Sequence, residues 1–206
     1  MELGNRIVFI GDSITEWGRD GKSDQIGTGY VMLIHDYLRV TYPATRFDMF
    51  NRGVGGDRIT NLAERWTEDV FDLKPDVVSV SIGINDVWRQ LDNPDLEQVT
   101  VGKFEAIYRD LLTQVKEKTD AKMIIMEPTI IEEDVKAKGN VLLKQYVDVV
   151  HKMVDEFGAV LVPTHTAFVD YLKVGSDFSL TIDGVHMNTT GNMLMAKTWI
   201  EAVEKA

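Results

Sequence analysis

The chain has 206 residues, no cysteine and a formal net charge of −11. At about 150 residues per domain, this length predicts one domain over residues 1–206, able to bury roughly 70% of its unfolded surface without staples. The lack of Cys excludes a disulfide framework and thiolate or Cys-metal chemistry, and a pI of about 4.8 argues against nucleic acid or anionic membranes as partners, since both need clustered Lys and Arg.

The segment Met1–Arg6 lacks a basic leader region, and Ile7–Ile10 is too short for an export signal. No apolar run approaches the roughly 20 residues of a membrane span. The expectation is a soluble cytoplasmic protein.

Arg6–Ile10, a β-branched run stopped by Gly11, predicts a buried first strand. Val31, Ile34, Leu38 and Tyr42 recur at helical spacing over Tyr30–Tyr42, which ends before Pro43. Phe47–Phe50 is a weaker second strand. A helix over Ile59–Leu73 presents Ile59, Leu62, Trp66, Val70 and Leu73 on one face. Asp76–Ile82 is the third strand, closed by Gly83, and Phe104–Val115 the next helix. Lys122–Met126 is a fourth strand, Val141–Phe157 a long helix and Ala159–Val162 a fifth strand. Ala167–Leu172 and Thr189–Val203 are helical, the latter with Asn188 as N-cap. Trp66 and Trp199 fall on core-facing stripes, and the acidic Glu132–Asp134 reads as solvated surface.

Strands that are continuous apolar runs need burial on both faces, as in a parallel sheet between helices. The predicted fold is therefore α/β, a three-layer α/β/α sandwich on a five-stranded parallel sheet. In such sheets chemistry collects at the carboxyl ends of the strands. After strand one come Gly11-Asp12-Ser13-Ile14, and after strand two Asn51-Arg52-Gly53-Val54-Gly55-Gly56-Asp57. Three glycines in four positions indicate unusual dihedrals or a close backbone approach. They make either a tight turn capped by Asp57 or a loop whose free N–H groups face an anion. After strand three come Gly83-Ile84-Asn85-Asp86, either a turn or an amide donor aimed into a pocket.

Near the C-terminus, Asp183 lies three residues before His186, close enough for its carboxylate to orient the imidazole. Each segment alone has an ordinary structural reading. Together they supply a hydroxyl, a base, its orienter and oxyanion donors, the parts that acyl transfer requires.

The set GDSI (11–14), NRGVGGD (51–57), GIND (83–86) and DGVH (183–186) resembles the blocks of the SGNH, or GDSL-type, serine hydrolases. The resemblance runs from residue 6 to about residue 200, and implies one hydrolase domain of flavodoxin-like fold. It implies Ser13 as nucleophile, His186 as base and Asp183 as its orienter. It also implies an oxyanion hole of Ser13, Gly56 and Asn85, with no cofactor or metal. Gly56 is singled out because the family's glycine directly precedes a small polar or acidic residue, here Asp57. Two positions depart from the pattern: Ile14 stands where Leu is common, and Met187 where Pro often follows the histidine, which would loosen that loop slightly.

GTGY (27–30), Arg65-Trp66 and GINDVWRQ (83–90) further resemble bacterial GDSL acetylxylan esterases. That similarity implies an acetylated oligosaccharide or other small ester as substrate. Trp88 and Arg89 follow Asn85 closely enough to line the pocket mouth, where Trp88 would either stack on a sugar ring or pack against a neighbouring loop or subunit. Trp17 and Tyr30 invite the same reading, and exposed aromatics in the 17–30 and 86–91 loops would suit a homo-oligomer interface.

Other assignments fit less well. No serine has the Gly-x-Ser-x-Gly elbow of the other large serine-hydrolase fold. Gly21-Lys22-Ser23 superficially looks like a phosphate loop, but Glu16 occupies its leading glycine position. A lysophospholipase or thioesterase remains open, as does a non-catalytic sugar- or nucleotide-binding module. His35 and His151 suit helix surfaces, and no His-Glu-x-x-His metal motif occurs. His165, with Asp170 nearby, is the rival to His186 as base.

Overall fold

The fold is described from a computed structural model over residues 3–21 and 25–206. Lys22 and Ser23 of the Gly-Lys-Ser stretch lie outside the described residues. The five apolar runs form one parallel sheet of order β2-β1-β3-β4-β5. The strands are β1 (Arg6–Gly11), β2 (Asp48–Gly53), β3 (Val77–Ser81), β4 (Lys122–Met126) and β5 (Val160–Val162). Every residue of β3 and Ile7–Gly11 of β1 are buried, as central strands covered on both faces require. The edge strand β2 instead alternates between buried and accessible positions. It runs past the predicted Phe50 because Asn51, Arg52 and Gly53 stay in register with Phe9, Ile10 and Gly11.

Helices α2 (Tyr30–Thr41) and α8 (Thr189–Lys205) pack together on one face. Phe9 of β1 meets the Tyr30 and Trp199 rings there, at centroid distances of 6.2 and 5.5 Å. The Trp199 Nε1–H donates to Ser79 Oγ at 3.0 Å, so the hydroxyl buried in β3 is satisfied. On the other face α3 (Ile59–Trp66) packs on α5 (Val101–Lys118), and α5 on α6 (Lys138–Phe157). The predicted helix over Ile59–Leu73 changes pitch: after Trp66 it continues as a π turn, Thr67–Phe71, which closes with Asp72 N–H donating to the Thr67 carbonyl. Helix α7 (Thr164–Val174) is longer than expected, and α8 begins at the predicted cap, Asn188 Oδ1 accepting from Thr190 and Gly191 N–H.

Two short helices go beyond the sequence expectations, and both carry site residues. They are α1 (Ser13–Glu16) after β1 and α4 (Ile84–Asp92) after β3. The chain leaves β1 toward β2 on one side, then crosses β1 to form β3 on the other. The connections after β1 and β3 therefore diverge, leaving a crevice at their carboxyl ends, the switch point of this strand order. Among the described residues no helix is long and apolar enough to cross a membrane.

Candidate active site

Ser13 opens α1 directly at the switch point. Asp12 caps the helix, its Oδ1 accepting from Ile14 N–H at 2.9 Å. As the first helical residue, Ser13 has no carbonyl one turn back for its own N–H, which stays available. Two contacts fix this turn against β2. Gly53 lies so close that a Cβ there would sit 2.1 Å from Glu16 N, so only glycine fits. The buried Asn51 donates from Nδ2 to the carbonyls of Thr15 (2.6 Å) and Ile26 (2.9 Å).

The loop before α8 brings His186 across the crevice. Its Nε2 is 2.9 Å from Ser13 Oγ and its Nδ1 is 2.7 Å from Asp183 Oδ2. A carboxylate only accepts, so Nδ1 carries the ring proton and Nε2 offers its lone pair to the Ser13 hydroxyl. Asp183 Oδ1 also accepts from the N–H groups of His186 (2.7 Å) and Val185 (3.0 Å). Burial pushes the Asp183 carboxyl up, but the His186 ring and these two amides outweigh it and hold it below its ordinary value.

The third wall is the loop after β2. Gly56 takes φ +83°, a left-handed conformation suited to glycine, and its N–H has no acceptor among the described residues. A Cβ on neighbouring Gly55 would lie 4.0 Å from Ser13 Cβ, so this loop borders the hydroxyl. Asn85, buried at the start of α4, donates from Nδ2 to the Asp57 carbonyl at 3.0 Å. An amide has two N–H groups, so the second is free to donate elsewhere. Asp86 joins the same two loops, accepting from Ile59 N–H at 3.1 Å. Burial raises both Asp12 and Asp86 to about 7.

Several expectations need correction. Asp57 does not cap α3: the N-cap is Arg58, whose N–H donates to Asn61 Oδ1, and the Asp57 carboxylate instead receives Arg65 Nε at 2.8 Å. His165 is buried with Nδ1 2.5 Å from the Thr129 carbonyl, while Asp170 pairs with Lys173; neither meets Ser13. Tyr30 is no surface aromatic but lies buried, its hydroxyl 3.0 Å from Thr15 Oγ1. Glu133 is not a freely solvated acid. Its Oε1 accepts from Leu180 N–H (2.9 Å), Thr181 N–H (2.7 Å) and the Thr181 hydroxyl (2.5 Å). Met187 is buried and bridged to Thr181, so the His186 loop is anchored there rather than loosened.

Trp88 and Trp17 both reach the histidine. Trp17 stacks on the imidazole at 5.5 Å and 27°, and Trp88 meets it edge-on at 6.0 Å and 68°. Arg89 lies over the Trp88 ring at 5.1 Å and pairs with Asp92. His35 and His151 are elsewhere, paired with Asp36 and with the buried Glu127.

Residues 9–194 match the GDSL-like Lipase/Acylhydrolase family. An acetylxylan esterase of Geobacillus stearothermophilus is 35% identical over 207 residues, covering 97% of this chain and 94% of that protein. The crystal structure of Axe2, an acetylxylan esterase from the same organism, superposes with a TM-score of 0.90 at 35% identity, over 98% of this chain and 94% of that one. LAE5, an α/β hydrolase from the Lake Arreo metagenome, matches with a TM-score of 0.91 at 33% identity, over 99% of this chain and 97% of that one. The chain therefore belongs to the GDSL-like lipase/acylhydrolase family and is a carboxylic ester hydrolase.

Proposed function

We propose that this single-domain esterase removes acetyl groups from xylo-oligosaccharides or related acetylated sugars, with Ser13 as nucleophile, His186 as base and Asp183 as its orienter. The observation that carries it is the continuous chain from Ser13 Oγ through both ring nitrogens to Asp183, at 2.9 and 2.7 Å. Ser13 Oγ attacks the ester carbonyl carbon while Nε2 takes its proton, and Asp183 pairs with the imidazolium. The tetrahedral oxyanion accepts hydrogen bonds from the Ser13 and Gly56 N–H groups and from the Asn85 amide. Nε2–H then protonates the departing sugar oxygen as the C–O bond breaks. Water, deprotonated by Nε2, attacks the acyl-Ser13 ester, and acetate leaves as the serine hydroxyl regains its proton.

The acetyl-sugar assignment is supported by the 35% identity with an acetylxylan esterase. The net charge of −11 suits a neutral soluble substrate better than an anionic lipid surface. Trp17 and Trp88 provide aromatic surface beside His186, the base that would protonate the leaving sugar.

The test is an aryl-ester series of increasing acyl length with wild type and Ser13→Ala, followed by acetate release from peracetylated xylose. Acetate esters are expected to be the best aryl substrates, with Ser13→Ala inactive. Full activity of Ser13→Ala would overturn the mechanism. A preference for esters of about eight carbons or more would replace the sugar assignment with a lysophospholipase or thioesterase.

A further inference from the structure

Arg65, on the last turn of α3, places one guanidinium against three separate segments of the site wall. Its Nη2 donates to the Gly11 carbonyl at 2.9 Å, in the peptide unit immediately before Asp12-Ser13. Its Nη1 donates to the Arg52 carbonyl at 2.8 Å, at the end of β2, and to the Asp69 carboxylate. Its Nε donates to Asp57 Oδ2 at 2.8 Å, on the residue that follows Gly56. The side chain is 18% exposed, and both acids it meets are mostly buried.

A guanidinium is planar and presents its donors in a fixed fork, so these four bonds impose a mutual geometry on their acceptors. A lysine has the charge but not the fork, and cannot reach the same acceptors at once. The Gly11 carbonyl also accepts from Val54 N–H at 3.1 Å, so the nucleophile strand and the glycine loop meet where Arg65 binds. Asp57 is held from both ends: its carboxylate by Arg65 and its carbonyl by the Asn85 amide at 3.0 Å. Gly56 lies in a left-handed turn in which a Cβ would meet nothing within 4 Å. Its side of the loop is open, so the position of its N–H depends on how the flanking residues are anchored.

We infer that Arg65 is a positioning residue for ester hydrolysis: it locks the Gly56–Asp57 loop to the Gly11–Asp12 peptide unit, next to Ser13, and so sets the distance between the oxyanion donors and the nucleophile. This rests on the roles proposed above for Ser13, Gly56 and Asn85. The four hydrogen bonds of Arg65 reach neither the Ser13 hydroxyl nor His186, so the proton transfer it leaves alone provides an internal control.

The experiment compares wild type, Arg65→Lys and Arg65→Met with an aryl acetate. Active sites are counted by end-point labelling with a fluorophosphonate, so kcat is expressed per competent serine. A displacement of about 1 Å can cost about 10²-fold in rate, and a missing oxyanion donor about 10²–10³-fold. The expected result is a fall in kcat per labelled site of about 10- to 100-fold in both variants. KM should change less than about threefold, with the acid limb of the pH–rate profile unmoved. A merely structural Arg65 would lower Tm and the labelled fraction but leave kcat per labelled site at the wild-type value, and that outcome overturns the inference. If the Met variant fails to fold, the Lys variant decides by the same criterion. A shift of the acid limb would also overturn it, by placing the effect at His186. Ser13→Ala, run alongside, keeps the two assignments apart. An active Ser13→Ala removes the proposed mechanism itself, whereas an inactive one with unchanged Arg65 variants removes only the role of Arg65.

Discussion

Trp17 and His186 stack face to face, 5.5 Å between centroids and 27° between planes, although they stand at opposite ends of the chain. Trp17 terminates the helical turn that Ser13 begins, its N–H donating to the Ser13 carbonyl at 3.1 Å. The indole is thus carried by the same turn as the hydroxyl and rests on the ring that, in the proposed mechanism, takes the hydroxyl's proton. An aromatic pair contributes about 0.5–1.5 kcal/mol beyond its buried area, whose upper end corresponds to about tenfold in rate. Trp17→Ala is expected to lower kcat/KM on an aryl acetate about tenfold, and Trp17→Phe to retain most of it. Steady-state kinetics on the two variants would separate an orienting indole from a bystander. Values within twofold of wild type for Trp17→Ala would exclude the orienting role.

Asn85 offers a stronger effect. One amide N–H is engaged by the Asp57 carbonyl, leaving the other free for the oxyanion of the proposed mechanism. Asn85→Ala removes that donor and should lower kcat about 10²–10³-fold with KM little changed, because the donor acts chiefly in the transition state. A parallel loss of binding in KM, with kcat preserved, would instead assign Asn85 to ground-state substrate binding.

The sheet and the four site segments are legible in the sequence for a physical reason. Central parallel strands are buried on both faces and so mostly apolar, and their runs stop at Gly11 and Gly83, next to the residues of the candidate site. Helix α4 is harder to see: Gly83-Ile84-Asn85-Asp86 has turn chemistry, although Ile84, Val87, Trp88 and Leu91 keep helical spacing. No local pattern around Trp17, Glu133 or Arg65 gives the partners that each one meets. Each acts on a segment distant in sequence, and nothing in three adjacent acids says that Glu133 alone will meet the Leu180 and Thr181 amides.

Glu133 anchors the start of the loop that delivers His186. Glu133→Ala removes the acceptor of three donors in that loop. Charged hydrogen bonds contribute about 1.5–3 kcal/mol each when well buried. This partly accessible site should lose about 1–3 kcal/mol in total, since water can replace part of the set. Hydrogen exchange should show faster exchange at the amides of Leu180 and Thr181, with β1 and β3 unchanged. Uniformly faster exchange throughout the sheet would mean that Glu133 supports the whole fold rather than this loop.

Asp12 and Asp86 make stability depend on pH in an unusual direction for carboxylates. Burial raises each from 3.8 to about 7 in the folded chain. Between about pH 4 and 7 the native state therefore binds more protons than the unfolded state, and the slope of unfolding free energy with pH is negative. Their stabilisation is fully present below the unfolded value and is lost as pH rises through about 7. Tm is expected to fall between about pH 5 and 8, and Asp86→Asn to flatten that fall. The asparagine oxygen can still accept from Ile59 N–H, which Asp86 holds at 3.1 Å, without placing a charge in the core. Thermal melts of both proteins across this range test the sign directly. A wild-type Tm that climbs toward pH 8, or an Asp86→Asn profile parallel to wild type, would show that Asp86 is not the group whose protonation stabilises the fold.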